Sequence, residues 1–360
     1  MARDPGNLLV TGGCGFVGSA FIRYCFQVPE FRGHLVNVDK LTEAGNPENV
    51  RGFVDSARYH FIQGDILDAD LLLELCDRHA IDTLVHFAAE THVDRSIHDP
   101  EAFIETNVLG TGRLLGVLKA RPKLFLHHVS TDEVFGALGA EGQFHEHSPY
   151  GPRSPYAATK AAADHLVRAY GITFGCRFCI SHSCNNYGPY QLPEKLVPMV
   201  ITRLLEGLPL PIYGDGLQRR DWIHVDDHAR AIWLLLQHAT EGESYMVGAR
   251  TERTNQALIS QLTELVAETS GRPLADLRAL WRHVQDRPGH DRRYAVDCSK
   301  LESELGFKPQ IELGHGLRET VRWYQEHSAW VEAMRSPEHT AFLEQNYGGR
   351  LGAGLPSGKD

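Results

Sequence analysis

Residues 129–136 read VSTDEVFG. An apolar, β-branched run ends there in two hydroxyls, Ser130 and Thr131, followed by two adjacent carboxylates, Asp132 and Glu133. Asp and Thr are common turn formers, so a solvated turn is one reading. The other is a strand that ends in groups able to exchange protons. Further along, SPYAATKAAADHLVRAY places Tyr156 and Lys160 at i, i+4, on one face of a helix. A free tyrosine has a pKa of roughly 10, and a nearby ammonium or a cationic nicotinamide ring favours the phenolate. Such a tyrosine can take an alcohol proton while hydride leaves to NAD. An ordinary surface pair is the alternative, since Y-x-x-x-K recurs by chance.

A third group of residues binds rather than reacts. In VTGGCGFVGSAF, Gly13, Gly15 and Gly18 fit G-x-G-x-x-G, while Gly12, Gly15 and Gly18 fit G-x-x-G-x-x-G, with Phe16 and Val17 inside the turn. Glycines let the backbone approach a pyrophosphate, whose charge the following helix N-terminus favours. Asp39 follows the second strand, 21 residues beyond Gly18, where an acid hydrogen-bonds the adenosine ribose. Asp39 repels a 2′-phosphate, so NAD is expected over NADP, with Lys40 pulling the other way. Asp65, followed by Ile66, either reaches the adenine or is a turn aspartate.

These groups need elements to position them. NLLVTGG, HLVNVDK, YHFIQGD, DTLVHFAA and LFLHHVST read as five strands. Helical patterns begin at Phe16 and run over residues 69–79 and 102–120. Alternating strands and helices predict an α/β, Rossmann-type doubly wound parallel sheet. Ligands on such sheets bind beyond the carboxyl ends of the strands, which puts Thr131, Asp132 and Glu133 at the functional edge. After residue 191 prolines break the pattern, and helical periodicity returns near 229–236 and 256–269. The expected organisation is an NAD-binding domain over 1–191, rejoined by 220–248. A smaller, discontinuous substrate domain spans 192–219 and 249–335, and a Gly-rich, mobile tail spans 336–360.

Composition excludes several classes. The 360 residues are 42% hydrophobic and 23% charged, as in ordinary globular proteins. A formal net charge of −10 argues against nucleic acid as a partner. The N-terminus lacks a signal-peptide pattern and no apolar run is long enough for a membrane, so a cytoplasmic location is expected. Seven cysteines are scattered. Cys176 and Cys179, in CRFC, sit within a strand-like run where positions three apart face opposite sides, so buried free thiols are expected rather than a redox or metal pair. The histidines suggest no metal site.

With these motifs in place, the chain resembles the extended short-chain dehydrogenase/reductases, and more closely the nucleotide-sugar 4,6-dehydratases of the dTDP-glucose 4,6-dehydratase family. The resemblance runs from about residue 8 to 309. It rests on VDKLTEAGN, HFAAETHVDRSI, STDEVFG, SPYAATKAAADHLV, CNNYGPYQLPEKLVP, PIYGDGLQRRDWIHVDDHARAI and DRPGHDRRYAVD. It implies that Thr131 hydrogen-bonds the sugar, Asp132 protonates the departing 6-hydroxyl, Glu133 is the base at C5, and Tyr156 with Lys160 handles oxidation at C4. The chemistry is coherent. A C4 ketone acidifies the C5 hydrogen, and adjacent buried acids separate their pKa values into one acid and one base. Hydride then returns to C6, giving a 4-keto-6-deoxy sugar without net use of cofactor.

The resemblance also implies a cofactor lining of Leu41, Thr42, Ala88, Ala89, Glu90, Thr106 and Asn186, beside Tyr156 and Lys160. On the substrate side it implies Thr91, Asn185, Lys195, Leu196 and the strand Pro211, Ile212 and Tyr213. It adds Arg220, Asn255 and residues 286–290, with Arg287 and His290 among them. Arg220 and His290 suit a diphosphate, although Arg220 could instead pair with Asp221. Three positions depart from the family pattern: Glu43 stands for an aromatic residue, Leu217 for a polar one and Arg219 for an aliphatic one. The last two fall near the expected nucleotide contacts and leave the base open. dTDP-glucose is the expected substrate, with UDP-glucose or a UDP-amino sugar as competitors. An epimerase or decarboxylase of the same fold needs Tyr156 and Lys160 but not the two acids, and a non-catalytic NAD-sensing module needs neither. The family forms dimers through two helices, here 102–120 and 156–169, which otherwise simply pack on the sheet.

Overall fold

The computed structural model describes residues 3–335. The expected 336–360 tail lies outside the described residues. The five expected strands form as β1 (Leu8–Thr11), β2 (Leu35–Asp39), β3 (Tyr59–Gln63), β4 (Thr83–His86) and β5 (Phe125–Thr131). The CRFC run supplies β6 (Arg177–Ser183). Three short strands follow, β7 (Asn185–Tyr187), β8 (Leu210–Tyr213) and β9 (Arg219–Arg220). Then come β10 (Trp222–His224), β11 (Ser244–Val247), β12 (Arg253–Thr254) and β13 (Trp281–Val284).

Seven strands make one parallel sheet in the order β11-β6-β5-β4-β1-β2-β3. This is the Rossmann-type order, and it reverses between β1 and β4, where the crevice opens. Alternation along the strands feeds a separate core on each face: Leu8 and Val10 enter one, Leu9 the other. Both faces are covered, so β1, β2 and β4 are buried throughout. A third core gathers Val197, Leu204, Leu210, Ile212, Leu258, Leu262 and Leu317 away from the sheet. There β8 pairs with β13, while β7 pairs with β10 and β9 with β12.

Cys176 and Cys179 face opposite sides of the sheet, and all seven cysteines are free and buried. Among the described residues no helix is long and apolar enough to cross a membrane, and no cluster of His, Cys, Asp or Glu could hold a metal ion. The helical run expected over 102–120 is interrupted. Helix Pro100–Phe103 passes into a π segment, Ile104–Gly110, before helix Thr111–Ala120. Such bulges are frequent at functional sites, and here Thr106 on this segment lines the larger cavity while Asn107 bonds the Glu90 backbone.

Candidate active site

Two cavities open beyond the carboxyl ends of the strands and share the walls formed by Thr91, Glu133, Asn185 and Lys195. The larger holds about 350 Å³ and is floored by the glycine turn after β1. Gly12 has a φ of 73°, and a Cβ there would lie 2.6 Å from the Ala88 nitrogen. A Cβ on Gly18 would lie 2.3 Å from the Gly12 carbonyl oxygen. Gly12, Gly15 and Gly18 line the cavity, whereas Gly13 donates its N–H to Asn37 Oδ1 at 3.1 Å. The G-x-x-G-x-x-G spacing is therefore the one that shapes the floor. Helix Phe16–Gln27 starts at Gly15 with no side-chain cap, which leaves first-turn N–H groups for an anion.

Asp39 closes the far end of this cavity. Its two oxygens accept from the Cys14 and Leu41 N–H groups, each at 2.8 Å. Lys40 pairs with Asp65 at 2.7 Å, so its charge is already answered and does little for a 2′-phosphate. Asp65 also accepts the Leu67 N–H at 3.0 Å; it is a turn aspartate and a lining residue at once. Phe16, Val17, Thr42, Ile66, Ala88, Ala89, Glu90, Thr106 and Asn186 complete the lining. Leu41 does not: its φ is 59° and its side chain packs onto the core. These features fit a dinucleotide: a cradle that any Cβ would fill, open helix donors, and a fixed carboxylate where a ribose is held.

The opening motif is a turn that serves the site. Thr131 ends β5, and its hydroxyl accepts the Glu133 N–H at 3.3 Å, starting a single 3₁₀ turn over Asp132–Phe135. Gly136, with a φ of 84°, closes the turn against the Gly151 carbonyl. Asp132 is buried and Oδ2 has no hydrogen-bond partner among the described residues. Burial, then Glu133, hold its carboxyl well above the usual range. Glu133 faces the cavity. Burial raises its pKa as well, but Arg287, Arg220 and Lys195 pull it back.

Ser154 caps helix Pro155–Phe174 by accepting the Ala157 N–H at 3.1 Å, with Pro155 in its first turn. That start brings Tyr156 and Lys160 to the cavity wall beside Thr131. The expected depression of Tyr156 by its lysine is not what dominates. Burial and Glu133 push the phenol up, and only the Thr131 hydroxyl eases it downward. Lys160 Nζ donates to the Val129 carbonyl at 2.8 Å, and burial lowers its pKa to about 8.

The second cavity, about 180 Å³, is lined by Leu196, Pro211, Ile212, Tyr213, Arg220, Asn255, Arg287 and His290. Asp94 orients two of these: it accepts the Tyr213 hydroxyl at 3.0 Å and Arg287 Nη1 at 3.1 Å. Arg220 does not pair with Asp221. Its guanidinium lies over Tyr294, 4.1 Å from the ring centroid, while Asp221 accepts the N–H groups of Ala249, Arg250 and Thr251. Burial and Arg287 push His290 down to about 4, against the pull of Asp286 at 2.6 Å, and the other cations lining this cavity are Arg220, Arg287 and Lys195. Leu217 and Arg219 do not reach it either. Leu217 is 42% exposed and Arg219 turns out to Glu252 at 2.9 Å, so neither departure lines this cavity.

Three contributions were missed in the sequence. Arg95 pairs with Glu43 and, at 3.0 Å, with Glu194, linking the loop after β2 to the loop before helix Leu196–Glu206. The charge at position 43, where an aromatic residue is usual, was the available signal. Asn107 exchanges hydrogen bonds with the Glu90 backbone at 2.9 and 3.0 Å and donates to Thr159 Oγ1 at 3.0 Å. No spacing announces a π bulge. Asp164 is fully buried one turn beyond Lys160 on the same helix.

The family described as GDP-mannose 4,6 dehydratase matches residues 9–320. The dTDP-glucose 4,6-dehydratase of Escherichia coli is 45% identical over 362 residues, covering 96% of this chain and 99% of the relative. That of Xanthomonas campestris pv. campestris is 46% identical over 341 residues, covering 91% and 95%. Among solved structures, the dTDP-glucose 4,6-dehydratase DesIV of Streptomyces venezuelae, crystallised with NAD bound, superposes with a TM-score of 0.85 at 45% identity, covering 91% of this chain and 99% of that one. The UDP-glucuronic acid 4-epimerase of Bacillus cereus, in complex with UDP-glucuronic acid and NAD, gives 0.80 at 28% identity, covering 89% and 99%.

Proposed function

The chain belongs to the dTDP-glucose 4,6-dehydratase family, and from that premise we propose that it is the NAD-dependent lyase that converts dTDP-glucose to its 4-keto-6-deoxy product. One observation carries this reading beyond the shared fold: two adjacent carboxyls, held apart in acidity, stand beside Tyr156 and Lys160 where the two cavities meet. Epimerisation needs no such pair.

The glycine turn and Asp39 would hold NAD, which when bound would supply reversible hydride acceptance between C4 and C6. The remaining work falls to side chains. Tyr156 takes the C4 hydroxyl proton as its phenolate, the form that Lys160 and a positive nicotinamide ring would favour, with Thr131 as the hydroxyl partner. Glu133, kept ionisable by three cations, removes the C5 proton that the C4 ketone has acidified. Asp132, kept protonated by burial and by Glu133, gives its proton to the leaving 6-hydroxyl. Arg220 and Arg287 hold the diphosphate, and Tyr213 offers a flat face to the base.

The cycle predicts the fate of a label. With dTDP-glucose deuterated at C4, deuterium should appear at C6 of the product without added reduced cofactor, as read by mass spectrometry and NMR. Stoichiometric build-up of reduced nicotinamide, or complete loss of label to water, would contradict it.

We read the enzyme as a cytoplasmic homodimer. Seven free thiols suit a reducing compartment. Ile104 and Leu109 are 53% and 47% exposed on the π segment, and Ile172 and Phe174 are 88% and 44% exposed on the Pro155–Phe174 helix packed beside it. Four large apolar side chains on adjoining helices suit an isologous contact. Light scattering should give twice the chain mass for the wild type, and that of one chain for Leu109→Arg. A monomeric wild type would refute the dimer.

A further inference from the structure

The glycine turn is held by residues from the far end of the described chain. Cys14, the buried centre of GGCGF, is fixed on both sides. Its N–H donates to Asp39 Oδ2 at 2.8 Å. Its carbonyl accepts the Asn46 N–H at 3.0 Å and Asn49 Nδ2 at 2.8 Å. That carbonyl shares a planar peptide unit with the Gly15 N–H, so its direction sets the plane from which helix Phe16–Gln27 starts. The first-turn donors left open for an anion are aimed from that plane.

Asn49 is buried on the 3₁₀ turn Pro47–Phe53, and one distant group orients its amide. Trp330, on helix Ser328–Ala333, donates Nε1–H to Asn49 Oδ1 at 2.9 Å. An indole nitrogen only donates. It therefore draws the amide oxygen to itself and turns Nδ2 toward the Cys14 carbonyl. Arg23 Nη1 donates to the Asn49 carbonyl at 3.1 Å, and its guanidinium lies 4.5 Å from the Tyr190 ring centroid. Tyr190 lines the larger cavity with a φ of 67°, uncommon outside glycine. Trp323 and Trp330 pack on its ring, with centroids 4.5 and 5.8 Å away. Nearby, Asn46 Nδ2 meets Met334 Sδ at 3.1 Å. Trp323, Trp330 and Val331 belong to the third core, which also holds Ile212 of the second cavity.

Resting on the placement of NAD in the larger cavity, we propose that Trp330 is a positioning residue for the cofactor: its indole N–H orients the Asn49 amide, and that amide fixes the Cys14 carbonyl and with it the turn that takes the pyrophosphate. The last described helix, packed on the substrate-side core, thereby sets the shape of the cofactor cradle at the start of the chain.

The test is Trp330→Phe, which keeps an aromatic ring and loses the N–H, beside Asn49→Ala and the double variant. Two readouts on the full chain need no turnover: NAD affinity by calorimetry, and amide hydrogen exchange of the cofactor-free protein by mass spectrometry. Trp330→Phe should weaken NAD by roughly three- to tenfold, the cost of one neutral hydrogen bond. Peptides covering residues 8–24 should exchange faster, while those over β4, β5 and β6 keep the wild-type rate. Asn49→Ala should lose more, and the double variant no more than Asn49→Ala, because Trp330 acts through that amide. Additive losses overturn the proposal, as does faster exchange spread over the whole sheet. Wild-type affinity and exchange in Trp330→Phe overturn it without need of the other variants. If the wild type binds NAD but leaves dTDP-glucose unchanged, the functional assignment falls, and these two readouts still decide whether Trp330 holds the turn.

Discussion

Glu133→Gln should bind NAD and melt like the wild type, yet form product ~10²–10⁴-fold more slowly, the usual cost of a lost acid–base group. The amide fits the same space but takes no proton from C5. Oxidation at C4 should survive, because Tyr156 and Lys160 are untouched. Substrate should therefore give a lasting absorbance of reduced nicotinamide, with no exchange of the C5 hydrogen in heavy water. Asp132→Asn should stall later: C5 exchange continues, since Glu133 is intact, but loss of water slows. The two phenotypes follow from unequal surroundings. Asp132 is raised by burial and by Glu133, whereas Glu133 has Arg287, Arg220 and Lys195 to pull it back. If both variants turn over at the wild-type rate, the two acids are a turn and no more.

Tyr156→Phe stops the cycle one step earlier. The ring should keep its place, edge-on to Phe103 with centroids 6.4 Å apart, and only the hydroxyl is lost. Product formation should again fall by ~10²–10⁴-fold. Here no reduced nicotinamide should accumulate and no C5 exchange should occur, because no ketone forms. Stopped-flow absorbance with deuterium exchange separates this variant from Glu133→Gln. A transient equal to the wild type's would remove Tyr156 from the oxidation step. In the wild type, activity should be lost as pH rises through about 8, where Lys160 gives up its proton. At the acid end, it should be lost as Glu133 becomes protonated, above the ordinary carboxylate range.

Much of this was legible in the sequence, wherever geometry is local. Gly12, Gly15 and Gly18 could be read because a positive φ and a close backbone approach are demands made within one turn. Tyr156 and Lys160 could be read because a helix brings i and i+4 together. Thr131, Asp132 and Glu133 could be read because strands alternating with helices put strand ends at the ligand edge. The parallel sheet followed from that same alternation, while its seven strands and their order came from the structure.

The rest depends on which distant segments meet. From helix Val93–His98, Arg95 serves Glu43 and Glu194 on two separate loops, and Asp94 on the same helix holds Tyr213 and Arg287 from far along the chain. Leu217 and Arg219 looked like changes at the nucleotide, but they face outward. His290 was expected as a cation, but burial and Arg287 push its pKa down, against Asp286. The sequence by itself determined which groups stand on the turn, the strand tip and the helix, because backbone periodicity is short-ranged. Only the tertiary structure decided how unequally the two carboxyls are held and how deeply Lys160 is buried, because desolvation and Coulomb fields act through space and ignore distance along the chain.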